Sequence, residues 1–318
     1  MASPAHAPKA MPFSRAAAPE TPCFFEAHGS PIFAVFHAAS PGRANAPVVV
    51  HVHGLGVEQI TLYRQEVLAA RAAAAVGFPV LRWHARGHGD SAGSSADVTL
   101  ASLVADAQGA ADEALRRSGA TRVIWLGVRL GALVAALAGG PHSGRGDAAG
   151  FVLWEPVAKP ADFFRMQLRT LLFSQVAGGK KPDATVDQLL ARLERDGTLD
   201  VLGYTLYQST RASFEGASLV DALRGVSAPV CVAQVQARAK LAPAHVQLVE
   251  ALAGQVTDAA AEAATPAAAG AQVGLAGGHA VVRTRTIHED PGYQLMTNPA
   301  WQCDALTRLT VEWLDALA

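Results

Sequence analysis

The sequence predicts an α/β chain built on a mostly parallel, doubly wound sheet with one helical insertion. Three observations predict it. Short apolar runs alternate with segments of helical spacing, several runs end in glycine-containing turns, and the alternation is interrupted once, over residues 158–227. At 318 residues, half of them hydrophobic, the chain can bury one large core.

Strands are expected at Cys23–Ala27, Pro31–His37, Pro47–His53, Phe78–His84, Thr121–Leu126, Gly150–Trp154, Pro229–Gln234 and Ala280–Ile287. Between them, 62–76 and 100–117 have helical spacing, the second placing Leu100, Leu103, Val104, Ala107, Ala111 and Leu115 on one face. Leu130–Leu137 reads as a further helix, and Trp301, Ala305, Leu309 and Trp313 as a last one packed on the sheet. The interruption carries Phe163, Leu168, Leu171, Leu172, Phe173, Leu189, Leu190, Leu193, Tyr204 and Tyr207, which suits a helical cap. The domain reading is therefore a disordered Ala/Pro-rich tail over 1–21, a core of 22–157 and 228–318, and a cap of 158–227. Residues 259–270 are Ala-rich and read as a surface excursion.

One five-residue stretch decides what the chain can do. Gly127-Val128-Arg129-Leu130-Gly131 has the G-x-S-x-G form of a nucleophile elbow, with Arg129 where serine should stand. A guanidinium stays protonated and has no lone pair with which to attack a carbonyl. Upstream, His53-Gly54-Leu55-Gly56 follows a strand as an oxyanion-hole turn does; backbone N–H groups of Gly54 or Leu55, with that of Leu130, would bind the oxyanion. Next comes Val80 to Gly93, reading VLRWHARGHGDSAG.

That last segment strongly resembles the D-x-R-G-x-G-x-S strand and loop of α/β-hydrolases. With the elbow and the His-Gly turn in the same order, the resemblance spans roughly 22–316 and implies the α/β-hydrolase fold. Within it the chain resembles the serine-aminopeptidase-like branch and, more narrowly, the "hydrolase 2" proteins associated with bacterial exosortase A systems. Those also bear an arginine in the elbow and a segment like Phe151-Val-Leu-Trp-Glu-Pro-Val157. The narrower resemblance implies a bacterial envelope-polysaccharide or protein-sorting setting.

The other triad members are missing where such a fold would put them. The acid position falls at Ala239 in Gln236-Ala-Arg-Ala-Lys-Leu-Ala-Pro243, and the histidine position at Tyr293 in Gly292-Tyr293. His279 and His288 lie in or beside the strand expected at Ala280–Ile287 and are weak substitutes. Because nucleophile, base and orienting acid act as a unit, three losses argue for a degenerate site.

Other patterns carry less. His51 with His53, and His84 with His88, lack a carboxylate or cysteine at ligand spacing, so no metal is expected. Gly87-His-Gly89-Asp-Ser-Ala92 fits a loose dinucleotide fingerprint, but the polar run 91–97 delays the helix that pyrophosphate needs, and no cofactor is expected. Arg86 reads as a structural hydrogen-bonding residue. A net charge of −1 gives no case for nucleic acid or an acidic membrane surface. Cys23, Cys231 and Cys303, odd in number and widely spaced, favour a reducing, cytoplasmic compartment. Residues 1–20 contain no continuous apolar region of a secretory signal, and no membrane span is expected.

Arg129 thus has two readings. As a plug it would be salt-bridged to carboxylates, with Glu155 and Glu58 the candidates; as an anion receptor it would present a free N–H edge at the start of a helix. Three functions follow: a silent protein that binds a small anionic or acyl ligand or a partner protein, a hydrolase using an unconventional nucleophile or a water activated by Glu155, Glu58 or a histidine, and a non-hydrolytic enzyme such as a lyase using Arg129 as an electrophilic stabiliser.

Overall fold

The computed structural model describes residues 19–41, 43–238, 242–254, 272–273, 281–294 and 301–318. Strands β1 (Glu20–Ala27), β2 (Ser30–His37) and β3 (Val48–Val52) lead into helix α1 (Val57–Ala75), then β4 (Val80–Trp83), α2 (Leu100–Ser118), β5 (Val123–Val128), α3 (Gly131–Gly139) and β6 (Ala148–Trp154). β3, β4 and β5 are buried along their whole length, as parallel strands covered by helices on both faces must be. The 158–227 interruption holds α4 (Pro160–Ala177), α5 (Val186–Asp196), β7 (Thr198–Val201), β8 (Tyr204–Tyr207), α6 (Gln208–Ser213) and α7 (Leu219–Ala222). The chain then supplies β9 (Val230–Val235), α8 (Pro243–Gly254), β10 (Gln272–Val273), β11 (Val282–Ile287) and α9 (Asp304–Leu317).

Among the described residues one sheet has the order β1-β2-β4-β3-β5-β6-β9-β11-β10. Its six central strands, β4 to β11, are parallel, while at the edges β2 pairs antiparallel with both β1 and β4, and β10 pairs antiparallel with β11. The order doubles back at β3 and runs outward from there, so the C-terminal ends of β3, β5 and β6 lie side by side. That is where an open α/β sheet places its site. One core layer packs α1 and α9 on one face; the other packs α2, α3, α8 and elements of the 158–227 insertion on the opposite face.

Several expected boundaries move. Helix α1 starts at Val57, five residues before the apolar spacing begins, because Gly56 turns the chain at a φ of 66° and Glu58 sits in the first turn, where a carboxylate is favoured. α2 begins where expected: Thr99 accepts from the Ser102 amide at 3.1 Å, and Gly119 ends the helix in the left-handed region. Trp301 precedes α9 instead of belonging to it, its indole donating to the Asp290 carbonyl at 3.0 Å. The insertion is not wholly helical, since β7 and β8 form a hairpin closed by Leu202 and Gly203, both at positive φ. β1 already begins at Glu20; the Ala-rich stretch 259–270 and residues 1–18 lie outside the described residues.

Candidate active site

The strand-turn-helix expected of the elbow is present, and its glycines are required. β5 runs through Gly127 to Val128, and α3 opens at Gly131. A Cβ on Gly127 would lie 2.5 Å from the Ala132 Cα, and one on Gly131 would lie 2.3 Å from the His53 carbonyl oxygen. Only glycine lets the turn close against α3 on one side and the end of β3 on the other. Arg129 stands between them at φ 54°, in the left-handed region that costs an ordinary residue roughly 1–2 kcal/mol.

That turn aims the guanidinium into the cleft, where the described structure surrounds it. Nε donates to Glu58 Oε1 at 3.1 Å and Nη1 to the Glu155 carbonyl at 2.8 Å, while Nη2 lies 3.3 Å from the Met166 sulfur. The Glu155 carboxylate is 4.0 Å from Nη1, and the Tyr293 ring centre is 5.9 Å away. Arg129, Glu58, Glu155 and Tyr293 are all buried. Glu155 follows β6 as Arg129 follows β5, because neighbouring parallel strands in register end together. It too adopts a positive φ, 48°.

Glu155 is the hub of the cluster. Its carboxylate accepts from the Val235 amide, from Gln234 Nε2 at 2.9 Å and from the Tyr293 hydroxyl at 3.0 Å, and Gln294 Nε2 donates to that hydroxyl at 3.2 Å. Tyr293, at the expected histidine position, therefore meets a carboxylate as a triad base would, but the carboxylate comes from the end of β6. The expected acid position, Ala239, lies outside the described residues, as does His279. His288 is exposed just after β11.

In this cluster one guanidinium faces two carboxylates. Burial pulls the guanidinium down, but Glu58, Tyr293 and Glu155 more than reverse that, so Arg129 stays charged. Burial pushes Glu58 and Glu155 above the ordinary carboxylate range, against the pull of Arg129. The Tyr293 phenol is also pushed up by burial, which leaves it unable to serve as a base near neutral pH. Of the two arrangements open to Arg129, the one observed is the guanidinium shared between two carboxylates. Glu58 Oε2 has no hydrogen-bond partner among the described residues.

The residues of the expected oxyanion turn lie beside Arg129. Gly54, Leu55, Leu130 and Gly131, with His53, line a void of about 10 Å³, room for about one water. His53 itself is structural: its Nε2 accepts from the Ala85 amide at 3.3 Å, which leaves Nδ1 to donate to the Gly54 carbonyl at 2.7 Å. Burial pulls it down to about 3. His84 and His88 turn to aromatic neighbours, Phe33 and Tyr204, and no group of three metal-binding side chains occurs among the described residues. Gly87 and Gly89 serve their own loop, since Cβ atoms there would meet Ser94 and His84 at 2.3 and 2.2 Å. α2 starts only at Leu100, so no helix opens at these glycines. Arg86 holds the buried Asp106 carboxylate, Nε to Oδ2 at 3.0 Å, as a structural residue does.

The sequence pattern of the family "Serine aminopeptidase, S33" matches residues 43–272, from before β3 to β10. The chain belongs to that family. Solved structures agree on the α/β-hydrolase fold of this serine aminopeptidase-like chain. Est1E from Butyrivibrio proteoclasticus with bound ferulic acid has a TM-score of 0.61 at 16% identity, covering 93% of this chain and 98% of that one. An esterase from Pyrococcus furiosus gives 0.58 at 12%, covering 98% and 96%, and a proline iminopeptidase from Mycobacterium smegmatis gives 0.56 at 12%, covering 93% and 98%. No curated protein matches in sequence. No described helix is long and apolar enough to cross a membrane, and Cys23, Cys231 and Cys303 are free thiols.

Proposed function

We propose that this family member is catalytically silent and acts by binding an acyl ligand or a partner protein. The observation that carries the reading is the Arg129 guanidinium, buried at the nucleophile position and held by Glu58 at 3.1 Å and Glu155 at 4.0 Å. A charge so engaged attacks nothing and has little left to offer an incoming anion, so an anionic ligand at the elbow loses ground to the plug. The arginine-bearing elbow also supports the narrower resemblance, and with it a bacterial, exosortase-associated setting; three free thiols support a cytoplasmic one.

A second reading rests on Glu58. Its Oε2 is buried beside the oxyanion-type turn and has no hydrogen-bond partner among the described residues, which is how a carboxylate that activates water would stand. A panel of ester, thioester and peptide substrates separates the two. The silent reading expects rates equal to buffer for every substrate, whereas turnover abolished by Glu58→Gln would establish the hydrolase.

A further inference from the structure

The cap holds a cavity of about 480 Å³ that does not include Arg129. Small-molecule sites span roughly 300–1,000 Å³ and combine an apolar lining with a few polar groups. The floor of this one is backed by two aromatic rings: Phe164 of α4 and Phe214, after α6, are both buried and meet edge to face at 5.7 Å. Leu190 of α5 adds an aliphatic wall.

The polar groups on the lining have one dominant sign. Lys159, exposed at the start of α4, has no ion-pair partner among the described residues. Arg165 and Arg211 also line the cavity, paired at 2.9 and 2.8 Å with Asp187 and Glu194, whose side chains are largely open to solvent. Exposed pairs of this kind contribute about 0–1 kcal/mol and yield easily to a competing anion. Glu215, the carboxylate of the lining, is 3.5 Å from Arg211.

Phe214 also walls the small void at the oxyanion-type turn, so one buried ring divides the cap cavity from the elbow. A ligand could therefore be held in the cap without meeting the plug. We propose that this cavity binds a monocarboxylate with an apolar body, its chain or ring against Phe164 and Phe214 and its carboxylate on Lys159. The proposal rests on the binding role argued above, and names the ligand class and the place.

Calorimetry on the full chain tests it, with decanoate and 3-phenylpropanoate as probes for acyl and aryl bodies and decyltrimethylammonium as the charge-reversed control. Saturable 1:1 binding of at least one carboxylate is expected, with none of the cation. Lys159→Gln should weaken it about tenfold, and Ala161→Trp, which fills the mouth from an exposed position, should abolish it while thermal melting stays unchanged. Absence of carboxylate binding, equal binding of the cation, or binding indifferent to both variants would overturn the proposal. Hydrolysis of p-nitrophenyl decanoate, followed in the same samples, keeps the two claims apart. Turnover with binding intact removes the silent reading alone, and no binding with no turnover removes only the cap site.

Discussion

Replacing Arg129 by methionine should destabilise the protein in a way that depends on pH. The variant keeps the length of the side chain but leaves Glu58 and Glu155 buried without their cation. At an effective dielectric of about 20, attraction over 3.1 and 4.0 Å amounts to roughly 5 and 4 kcal/mol before the desolvation cost of burying the guanidinium is subtracted. Broken buried pairs of this kind cost about 3–5 kcal/mol net. The stranded carboxylates can escape by taking up protons. From their ordinary value of 4.5, that costs at most about 3.4 kcal/mol each at pH 7 and about 0.7 at pH 5. Urea unfolding of the native protein and Arg129→Met at both pH values should therefore show a loss of about 3–5 kcal/mol at pH 7 that shrinks to about 1–2 at pH 5. Adding Glu58→Gln should recover about half of the loss at pH 7, since one unpaired charge is removed with its partner. A loss below about 1 kcal/mol, equal at the two pH values, would refute the claim that the guanidinium holds these two carboxylates in their buried positions.

Three further outcomes are expected. Arg129→Ser should show no esterase activity in a p-nitrophenyl butyrate assay, because the Tyr293 phenol, pushed up by burial and donating to Glu155, cannot take the serine proton. Gly131→Ala should lower the urea midpoint by the equivalent of about 2–3 kcal/mol; alanine ordinarily favours a helix, but its Cβ would stand 2.3 Å from the His53 carbonyl, and backbone must move. Stability should fall by about 2 kcal/mol between pH 6.5 and 8 through Glu66, a buried α1 carboxyl 3.8 Å from His51 that burial pushes up to about 8. A raised carboxyl stabilises fully below its unfolded value of 4.5 and loses that contribution as pH approaches 8, whereas the buried His51 and His53, pulled below 6.5, act with the opposite sign only up to 6.5. Glu66→Gln should flatten this part of the curve in denaturation followed at stepped pH.

The elbow was legible in sequence because its determinants are local. Two glycines four apart, between an apolar strand and a helix, encode a turn whose tightness the Cβ clearances at Gly127 and Gly131 confirm. The Arg129–Glu155 pairing followed from strand order, since Glu155 ends the strand beside β5. The role of Glu155 toward Tyr293 was not legible: sequence reasoning sought the acid after β9, and only the folded sheet brings the end of β6 within 3.0 Å of that hydroxyl. Met166 reaches the guanidinium from the cap, a contact no local pattern signals. The β7–β8 hairpin escaped notice for a related reason, because its Leu202-Gly203 turn lacks the Asn or Asp that marks such turns, and its strands have four residues each. α1 and Trp301 show how apolar spacing misplaces helix ends that caps and turns decide.

The nucleophile position holds a guanidinium pinned by Glu58 and Glu155, and on the silent reading no nucleophile elsewhere in the cleft has replaced the missing serine. Treatment of the native protein with an alkyl fluorophosphonate, followed by intact-mass measurement, tests it most directly. An unshifted mass is expected. A stoichiometric adduct on a single residue lost on prior unfolding would contradict it and reveal a working nucleophile.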